Sequence, residues 1–287
     1  MKVVIVEKPE VKLAIKKQQL YVDEQGIPLR LVGMLVLRHD VAVTSKILLK
    51  LSKEHIAVLF ISKNNLVFAL TLPQISKNSE VKADQYRALD NRLGLAKYFV
   101  DEKISRHIDH LRSLSIIIDK EPWHTNVQKA ESIDALIGVE GSFTRHYFNH
   151  YFKFFSPSLH KGKRSKRPAL DPVNAILSYL YSMTYNLLTA KLYMAGLEPS
   201  ISYLHTPFRS HYALSSDLME LFRARINEKV LEWFDDNLLA ADDFKMKNGV
   251  YLKYESRKKL WQSIKLLMDE ISLEADKEIS LIRSAIS

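Results

Sequence analysis

The stretch DPVNAILSYLYSMTYNLLTAKLYMAG, residues 171–196, decides the fold of the second half of this chain. Asp171 is a residue type that caps helix N-termini, Pro172 suits the first helical position, and Gly196 suits the position just past the end. The apolar residues between these bounds face several directions around a helix: Val173, Ile176, Leu177, Leu180, Leu187, Leu188 and Met194. This pattern predicts one long helix that is buried on most sides.

Helical periodicity continues on both sides of this stretch, over residues 84–287. One apolar stripe steps by three or four residues and comprises Tyr86, Leu89, Leu93, Ala96, Val100, Ile104, Ile108 and Leu111. A second stripe comprises Leu260, Ile264, Leu267, Ile271, Ala275, Ile279 and Ile282. This spacing is typical of amphipathic helices. Further helices are expected at about 126–155 and 213–238, and residues 119–124 are expected to break the pattern.

The first 72 residues have a different pattern, in which short apolar runs alternate with turn-forming residues. Strands are expected at Val3–Val6, Leu20–Val22, Leu29–Val32, Met34–Leu37, Ile56–Ile61 and Leu66–Leu70. One helix is expected to begin at Thr44 or Ser45. Residues 73–83 are polar and predict a linker. The fold class is therefore α+β, with a small N-terminal β-rich domain (residues 1–72) followed by a larger all-α domain (residues 84–287).

Composition narrows the location and the partners of the protein. The chain has 287 residues and a formal net charge of +9, which favours a polyanionic partner such as nucleic acid. No apolar run approaches the roughly 20 residues of a membrane span, and the N-terminus lacks the apolar stretch of a signal peptide. The chain has no cysteine, which excludes disulfides and thiolate metal sites. We therefore expect a cytoplasmic protein that does not associate with membranes.

A glutamate between two glycines interrupts the second helical region, in the sequence Gly138-Val139-Glu140-Gly141. Each glycine costs a helix about 1 kcal/mol relative to alanine, so this pair needs a reason. One reason is the close approach of a ligand to Glu140. The other is a helix–helix crossing that leaves Glu140 exposed between two small residues, and these four residues alone favour this second interpretation.

Three further residues form a candidate site in the C-terminal half. Asp217 and Glu220 are three residues apart and so share a helix face, and His205 precedes them. Two adjacent carboxylates repel each other unless a cation or a proton intervenes. Carboxylates with an imidazole suit Mn²⁺, whereas Mg²⁺ prefers mostly oxygen ligands. The alternatives are a solvated acidic face, or an Asp217 that complements a helix N-terminus.

Basic residues near these acids predict contacts with phosphate. A dense cluster lies in the loop that precedes Asp171 and comprises Lys161, Lys163, Arg164, Lys166 and Arg167. Such a loop can neutralise DNA phosphates, although a solvated loop is the alternative. Arg145 and Arg223 follow Glu140 and Glu220, and a planar guanidinium can bind two phosphate oxygens. Arg223 could instead be a simple ion-pair partner of Glu220.

Four segments together resemble the universal CRISPR-associated endonuclease/integrase family, the larger subunit of the spacer-acquisition complex. They are GVEGSFTRHYF at 138–148, KRPALDPVNAILSYLYSM at 166–183, AGLEPSISYLH at 195–205 and DLMELFR at 217–223. They have the order and about the spacing of that family. The chain departs from it at Ser202, where the family often has Gly, and at Leu221, where it often has Pro.

This resemblance implies a set of functional residues and a reaction. Glu140, His205 and Glu220 are the expected ligands of Mg²⁺ or Mn²⁺, and Asp217 is expected to be a further ligand or a supporting residue. The implied reaction is a transesterification in which a 3′-hydroxyl of captured DNA attacks a phosphodiester at a CRISPR repeat boundary. The implied assembly is a homodimer, formed largely by the β domain, which binds DNA with a small ferredoxin-like partner in a prokaryotic cell.

Two other functions are compatible with the sequence. One is a DNA-binding scaffold of the same fold that has lost catalysis. The other is a repair nuclease that acts on branched DNA without CRISPR loci. The presence of every expected ligand favours the integrase over the scaffold.

Overall fold

A computed structural model describes residues 2–8, 10–38, 40–62, 68–73, 78–206 and 212–287. The chain forms two compact units. The first unit comprises Met1–Arg87, Ser182–Pro199 and Lys265–Ser287, and the second comprises Ala88–Tyr181 and Ser200–Ile264. This division differs from the boundary expected at residues 73–83, because the first unit also contains two segments from the helical part of the chain.

Over the described residues that precede residue 74, the first unit contains seven strands and one short α-helix. Their bounds are β1 Lys2–Val6, β2 Leu13–Lys16, β3 Gln19–Val22, β4 Gln25–Pro28, β5 Val32–Leu37, α1 Ser45–Lys53, β6 Ala57–Ile61 and β7 Phe68–Thr71. One sheet has the order β1-β5-β6-β7, in which only β7 is antiparallel to its neighbour. The other is the antiparallel meander β2-β3-β4. Alternate apolar residues of the strands face a common core that includes Leu20, Leu35 and Val58.

Most of the strand predictions agree with these bounds, and the helix cap is confirmed. Thr44 is the N-cap of α1, and its side chain accepts a hydrogen bond from the Ile47 amide. The run Leu29–Val32 is different, since Leu29–Leu31 forms a single 3₁₀ turn before β5. Strands β2 and β4 were not expected. Leu66 and Val67 of the last expected strand lie outside the described residues, and β7 follows them.

Helices account for most of the remaining described chain. Their bounds are α2 Asn78–Arg87, α3 Arg92–Ser113, α4 Glu121–Lys129, α5 Ile133–Tyr151, α6 Pro172–Met194, α7 Ala213–Glu220, α8 Arg223–Asp235 and α9 Tyr254–Ile286. A short hairpin, β8 Phe244–Met246 and β9 Val250–Leu252, precedes α9. The α+β fold class is therefore confirmed. No helix within the described ranges is both long and apolar enough to cross a membrane.

The central helix α6 has the predicted ends. The Asp171 carboxylate accepts a hydrogen bond from the Asn174 amide at 2.7 Å, which caps the N-terminus, and Pro172 is the first helical residue. Gly196 has a φ of 84°, and the Leu197 amide donates to the Leu192 carbonyl oxygen at 3.0 Å. This is the Schellman ending that a glycine permits.

Four details of the helical part differ from the sequence-based expectations. Residues 119–124 were expected to break the helical pattern, but α4 begins within them, at Glu121. Residues 78–83 of the expected linker belong to α2. The helix expected over 213–238 is divided into α7 and α8. At the break between them, the Leu221 carbonyl oxygen accepts a hydrogen bond from the Arg106 side chain. The hairpin β8–β9 turns at Asn248-Gly249, a pair that tolerates the positive φ values of 51° and 140° found there.

Candidate functional site

Two of the predicted acids meet at a lysine that the sequence analysis did not select. The ammonium of Lys103, on α3, forms an ion pair with Glu140 of α5 and lies 2.6 Å from an oxygen of Glu220, the last residue of α7. The side chains of Lys103 and Glu220 are each 4% exposed, whereas Glu140 is 22% exposed. Glu140 also accepts a hydrogen bond from the hydroxyl of Thr144 at 2.8 Å. A single cation therefore bridges two carboxylates from different helices of the second unit.

Glu220 has a second cationic partner in Arg223. The Arg223 Nε donates to Glu220 Oε2 at 2.8 Å, and its guanidinium lies 4.6 Å from the centre of the Tyr181 ring. Burial favours a protonated Glu220, but the positive charges of Arg223 and Lys103 outweigh it and hold the pKa of Glu220 well below its usual range. Burial also opposes the charge of Lys103, but Glu220 and Glu140 raise the pKa of Lys103. Glu220, Lys103 and Arg223 are therefore ionised at neutral pH.

Asp217 organises the backbone that leads to His205. Its fully buried carboxylate accepts hydrogen bonds from the amides of Tyr203, Leu204 and His205, at 2.7, 3.0 and 2.9 Å, and from His205 Nδ1 at 2.8 Å. A carboxylate has about four positions at which it can accept a hydrogen bond, so these four bonds fill them. Asp217 therefore supports His205, and the geometry does not favour it as a direct metal ligand.

Arg92 holds the other side of the same backbone segment. At the start of α3, its guanidinium donates to the carbonyl oxygens of Tyr203, Leu204 and His205 at 2.5, 3.2 and 3.3 Å. The hydroxyl of Ser202 also donates to the His205 carbonyl oxygen, at 2.5 Å. Ser202, where the similar family often has Gly, thus adds a hydrogen bond to this segment. Residues 203–205 are irregular in structure, and these contacts satisfy their polar groups without a helix or strand.

The orientation of His205 follows from its bond to Asp217. Because an ionised carboxylate only accepts hydrogen bonds, Nδ1 carries the proton and Nε2 is the ring nitrogen with a lone pair for a ligand. Burial lowers the pKa of His205, but the hydrogen bond to Asp217 and the negative charges of Asp217 and Glu220 raise it overall. A histidine held by a buried carboxylate is a common arrangement around protein-bound metals.

The donor set suits a divalent metal, but Lys103 stands where the two carboxylates converge. Glu140, Glu220 and His205 provide oxygen and nitrogen donors of the kind that bind Mg²⁺ or Mn²⁺. Among the described residues, however, no three acidic or histidine side chains come close enough together to hold a metal ion as they stand. Both acids already contact one cation, which is the ammonium of Lys103.

The two glycines that flank Glu140 leave open space. A Cβ added to Gly138 or Gly141 would meet no atom of the described residues within 4 Å, apart from the local helix itself. This does not agree with a tight helix–helix crossing at these positions. The open surface beside Glu140 is compatible with the other interpretation, in which a ligand approaches α5 closely.

The basic loop is attached to the start of α6. The Asp171 carboxylate accepts a hydrogen bond from the Lys161 amide, and the Asn174 side chain bonds the Lys163 carbonyl oxygen and the Ser165 amide, at 2.9 to 3.1 Å. The side chains that remain exposed are those of Lys161, Lys163, Lys166 and Arg167. Arg145, on α5, is exposed as well.

Arg164 differs from the other basic residues of the loop. Its guanidinium donates to Asn174 at 2.8 Å and to the Ser178 hydroxyl at 3.0 Å, and lies 5.3 Å from the centre of the Tyr181 ring. Arg164 therefore fastens the loop to α6, and its charge is directed into the protein. Tyr181 lies against both Arg164 and Arg223, and so links the loop to the acid cluster.

A buried polar network holds Tyr181 in place. Its hydroxyl donates to Asn227 Oδ1 at 2.5 Å, and Asn227 Nδ2 donates to the hydroxyl of Tyr147 at 3.0 Å. The Tyr147 hydroxyl also contacts His110 Nδ1 at 2.8 Å. Burial lowers the pKa of His110 to about 4, so this histidine is neutral at physiological pH. The network is a structural support for the site, and the sequence analysis did not anticipate it.

Lys166 interacts electrostatically with the acid cluster. Partial burial, followed by the positive charges of Arg223 and Arg164, lowers the pKa of Lys166, while the negative charge of Glu220 opposes this effect. The lysine is thus near enough to interact with the charges at Glu220. An anion such as a phosphate would relieve the repulsion among these cations.

Known proteins share this fold over nearly the whole chain. The family model described as CRISPR associated protein Cas1 matches residues 4–265. A CRISPR-associated endonuclease Cas1 from Thermodesulfovibrio yellowstonii is 29% identical over 285 residues, which cover 91% of this chain and 89% of the relative. These matches make the chain a CRISPR-associated protein. It belongs to the Cas1 family, so the resemblance seen in the four sequence segments is confirmed.

Solved structures agree with this assignment at the level of the fold. A Cas1 protein from Thermotoga maritima has a TM-score of 0.86 at 19% identity, and covers 100% of this chain and 97% of its own. A casposase bound to an integration product has a TM-score of 0.81 at 20% identity, with 99% and 91% covered. A Cas6-RT-Cas1–Cas2 complex has a TM-score of 0.75 at 21% identity, with 99% of this chain and 35% of that chain covered.

Proposed function

We propose that this protein is a divalent-metal-dependent DNA endonuclease and integrase that inserts new spacer DNA into a CRISPR array. The observation that carries the proposal is the convergence of Glu140 and Glu220, from different helices, on one buried cation position. Family membership supports it, because relatives are named CRISPR-associated endonucleases and one structural neighbour is a casposase bound to an integration product.

Glu140, Glu220 and His205 are the residues that would hold Mg²⁺ or Mn²⁺. When bound, the ion would neutralise charge on the phosphodiester oxygens and make the attacking hydroxyl easier to ionise. Asp217 keeps Nε2 of His205 directed away from its own carboxylate, and Arg92 fixes the carbonyl oxygens of the same segment. These two residues thus position a ligand and do not themselves contact the reacting atoms.

The proposed joining reaction is a transesterification at phosphorus. The 3′-hydroxyl oxygen of the incoming DNA forms a new P–O bond at the repeat boundary, and the bond from phosphorus to the 3′ oxygen of the target strand breaks in line. The attacking hydroxyl loses its proton and the departing oxygen gains one, so the number of phosphodiester bonds is unchanged. The guanidinium of Arg223, beside Glu220, is suited to hold two oxygens of the attacked phosphate.

The exposed basic residues are proposed to bind the DNA backbone around this phosphate. They are Lys161, Lys163, Lys166 and Arg167 of the loop, together with Arg145 of α5. Arg164 is assigned a different role, because its guanidinium holds the loop against α6. Contacts of this kind position DNA without reading its sequence.

The proposed assembly is a homodimer that works in the prokaryotic cytoplasm with a small ferredoxin-like partner. Support for a Cas partner comes from the structural neighbour named as a Cas6-RT-Cas1–Cas2 complex. The β-rich N-terminal region, residues 1–72, is proposed as the dimerisation surface.

A strand-joining assay tests the proposed function directly. Purified protein is incubated with a short 3′-hydroxyl DNA duplex and a supercoiled repeat-bearing plasmid, with and without its small partner, in Mn²⁺ or in EDTA. We expect joined product only with the divalent ion and the repeat. DNA binding without product under every metal and partner condition would favour a scaffold, and activity on branched DNA that ignores the repeat and the partner would favour a repair nuclease.

Removing charge from the basic loop is expected to weaken DNA binding in a salt-dependent way. In Lys161→Ala/Lys163→Ala, the slope of log affinity against log salt concentration should fall by about one unit for each phosphate contact that is lost. Fluorescence anisotropy with labelled duplex DNA over a range of NaCl concentrations measures this slope. Both side chains are exposed, so the thermal stability of the protein should not change.

A matched variant separates the loop from overall charge. Lys120→Ala/Lys129→Ala removes two exposed lysines at the ends of α4 and lowers the net charge by the same amount. It should leave the slope close to that of the wild type. Equal slopes for the two double variants would show that the loop makes no particular contact with phosphate.

A further inference from the structure

We propose that Lys103 is an internal cation that occupies the position between Glu140 and Glu220 in the metal-free protein and has to withdraw when a divalent metal binds. Lys103 would then stabilise the metal-free fold and limit the affinity for the metal. This inference rests on the proposed metal-dependent function, and it adds a residue whose effect on metal binding can be measured without any assay of activity.

The ammonium of Lys103 lies between the two acids. It forms an ion pair with one oxygen of each acid. The partners are Glu140 Oε1 and Glu220 Oε2, and the distance to Glu220 Oε2 is 2.6 Å. The same two carboxylates are among the residues that would hold a divalent ion. The two cations would therefore compete for one place.

The charges of this cluster balance without a metal. The two negative charges of Glu140 and Glu220 face the two positive charges of Lys103 and Arg223, so the partly buried group is neutral. Adding a divalent ion while both cations stay in contact would leave an excess of two positive charges. Repulsion between such close charges is strong where water is excluded. One of the two cations has to move away.

Lys103 is better able to move than Arg223. Arg223 is held by its bond to Glu220 and by the face of Tyr181, which is itself fixed by Asn227. The described contacts of the Lys103 ammonium are with the two acids alone. Its flexible chain of four carbons can carry the ammonium away without a change in α3. The released ammonium would remain near the site, where a bound DNA phosphate is a suitable new partner.

The test compares Mn²⁺ binding by the wild type and by Lys103→Met, in the full chain. Methionine keeps much of the side-chain length and removes the charge. We expect Lys103→Met to bind Mn²⁺ at least about tenfold more tightly, because the metal no longer has to displace a competing positive charge. Free Mn²⁺ is measured by electron paramagnetic resonance, and the dissociation constant by isothermal titration calorimetry.

A second readout follows the stability of the fold. In Lys103→Met, no lysine balances the negative charges of Glu140 and Glu220. This variant should therefore unfold at a lower temperature than the wild type in EDTA. Saturating Mn²⁺ should raise its unfolding temperature by more than it raises that of the wild type, since tighter binding stabilises more. Lys103→Arg keeps the charge and gives a folded comparison if Lys103→Met is too unstable, and it should bind Mn²⁺ no more tightly than the wild type.

Lys229→Met is the matched control. Lys229 pairs with Glu232 on α8 at 2.7 Å, and its loss should leave Mn²⁺ affinity unchanged. Weaker or equal Mn²⁺ binding by Lys103→Met, with measurable binding by the wild type, would overturn the role of Lys103 and leave the metal-dependent function in place. No Mn²⁺ binding by either protein would overturn both. Binding by Lys103→Met alone would support the inference in its strongest form.

Discussion

Glu140→Gln is expected to reduce strand joining by more than about 100-fold while the protein stays folded. Even residues one step removed from a metal are worth about 10- to 100-fold, and Glu140 is a proposed direct ligand. The side chain is 22% exposed on α5, and Gln keeps its shape and its ability to accept a bond from Thr144. Initial rates of joining in Mn²⁺, with circular dichroism and thermal unfolding of both proteins, measure the effect.

Glu140 is the most informative of the three proposed ligands to change. Loss of Glu220 would also leave the partly buried Arg223 and the buried Lys103 without this carboxylate partner, so a loss of activity there could reflect misfolding. Loss of Glu140 leaves Lys103 paired with Glu220. Asp134→Asn removes an exposed acid from the same helix and should join strands at the wild-type rate. Wild-type activity in Glu140→Gln would remove Glu140 from the site.

Much of the fold is predictable because the deciding signals are local. The N-terminus of α6 depends on Asp171 and Pro172, and its C-terminus depends on Gly196, all of which act within one helical turn. The hairpin β8–β9 also carries a local signal in Asn248-Gly249, which the surrounding helical periodicity obscured. The division into two units is not local, since it depends on which distant segments pack together.

The candidate site is only partly predictable for the same reason. Glu140, His205, Asp217 and Glu220 were selected from motifs, but their division into proposed ligands and support depends on contacts across the fold. Lys103 had a signal of its own, because a lysine lies among the apolar residues that form the buried face of α3. Burying a lysine requires a compensating charge. Both proposed acidic ligands provide this compensating charge to Lys103, and only the tertiary structure shows it.

Arg164 illustrates the limit of arguments from charge clusters. Five basic residues within seven positions predicted five phosphate contacts, and the sequence does not distinguish among them. The structure separates Arg164 from the rest, because Asn174 and Ser178 accept its hydrogen bonds and Tyr181 lies against its guanidinium. Arginine suits such a role better than lysine, since its planar group can stack and donate in several directions together.

Asp217→Asn is expected to cause the largest loss of stability among these single substitutions. The carboxylate accepts four hydrogen bonds in a fully buried position. An asparagine amide offers one accepting oxygen and one donating nitrogen, so at least two of the four donors lose their acceptor. Each buried group left unpaired costs about 1 to 3 kcal/mol, which predicts a loss of roughly 3 kcal/mol. Urea unfolding at pH 7.5 measures it, and the unfolding temperature should fall by roughly 5 to 10 °C.

The same substitution should change His205 in a way that a general loss of stability does not. The hydrogen bond and the negative charge of Asp217 raise the pKa of His205, so Asp217→Asn should lower it, toward or below the ordinary value. Two-dimensional NMR of the histidine ring as a function of pH reports this pKa under conditions where the variant is folded. Asp236→Asn, at an exposed position after α8, should change neither the pKa nor the stability. If Asp217→Asn left the pKa of His205 unchanged, the ring would not be oriented by Asp217. The support assigned to that carboxylate would then be limited to the backbone of residues 203–205.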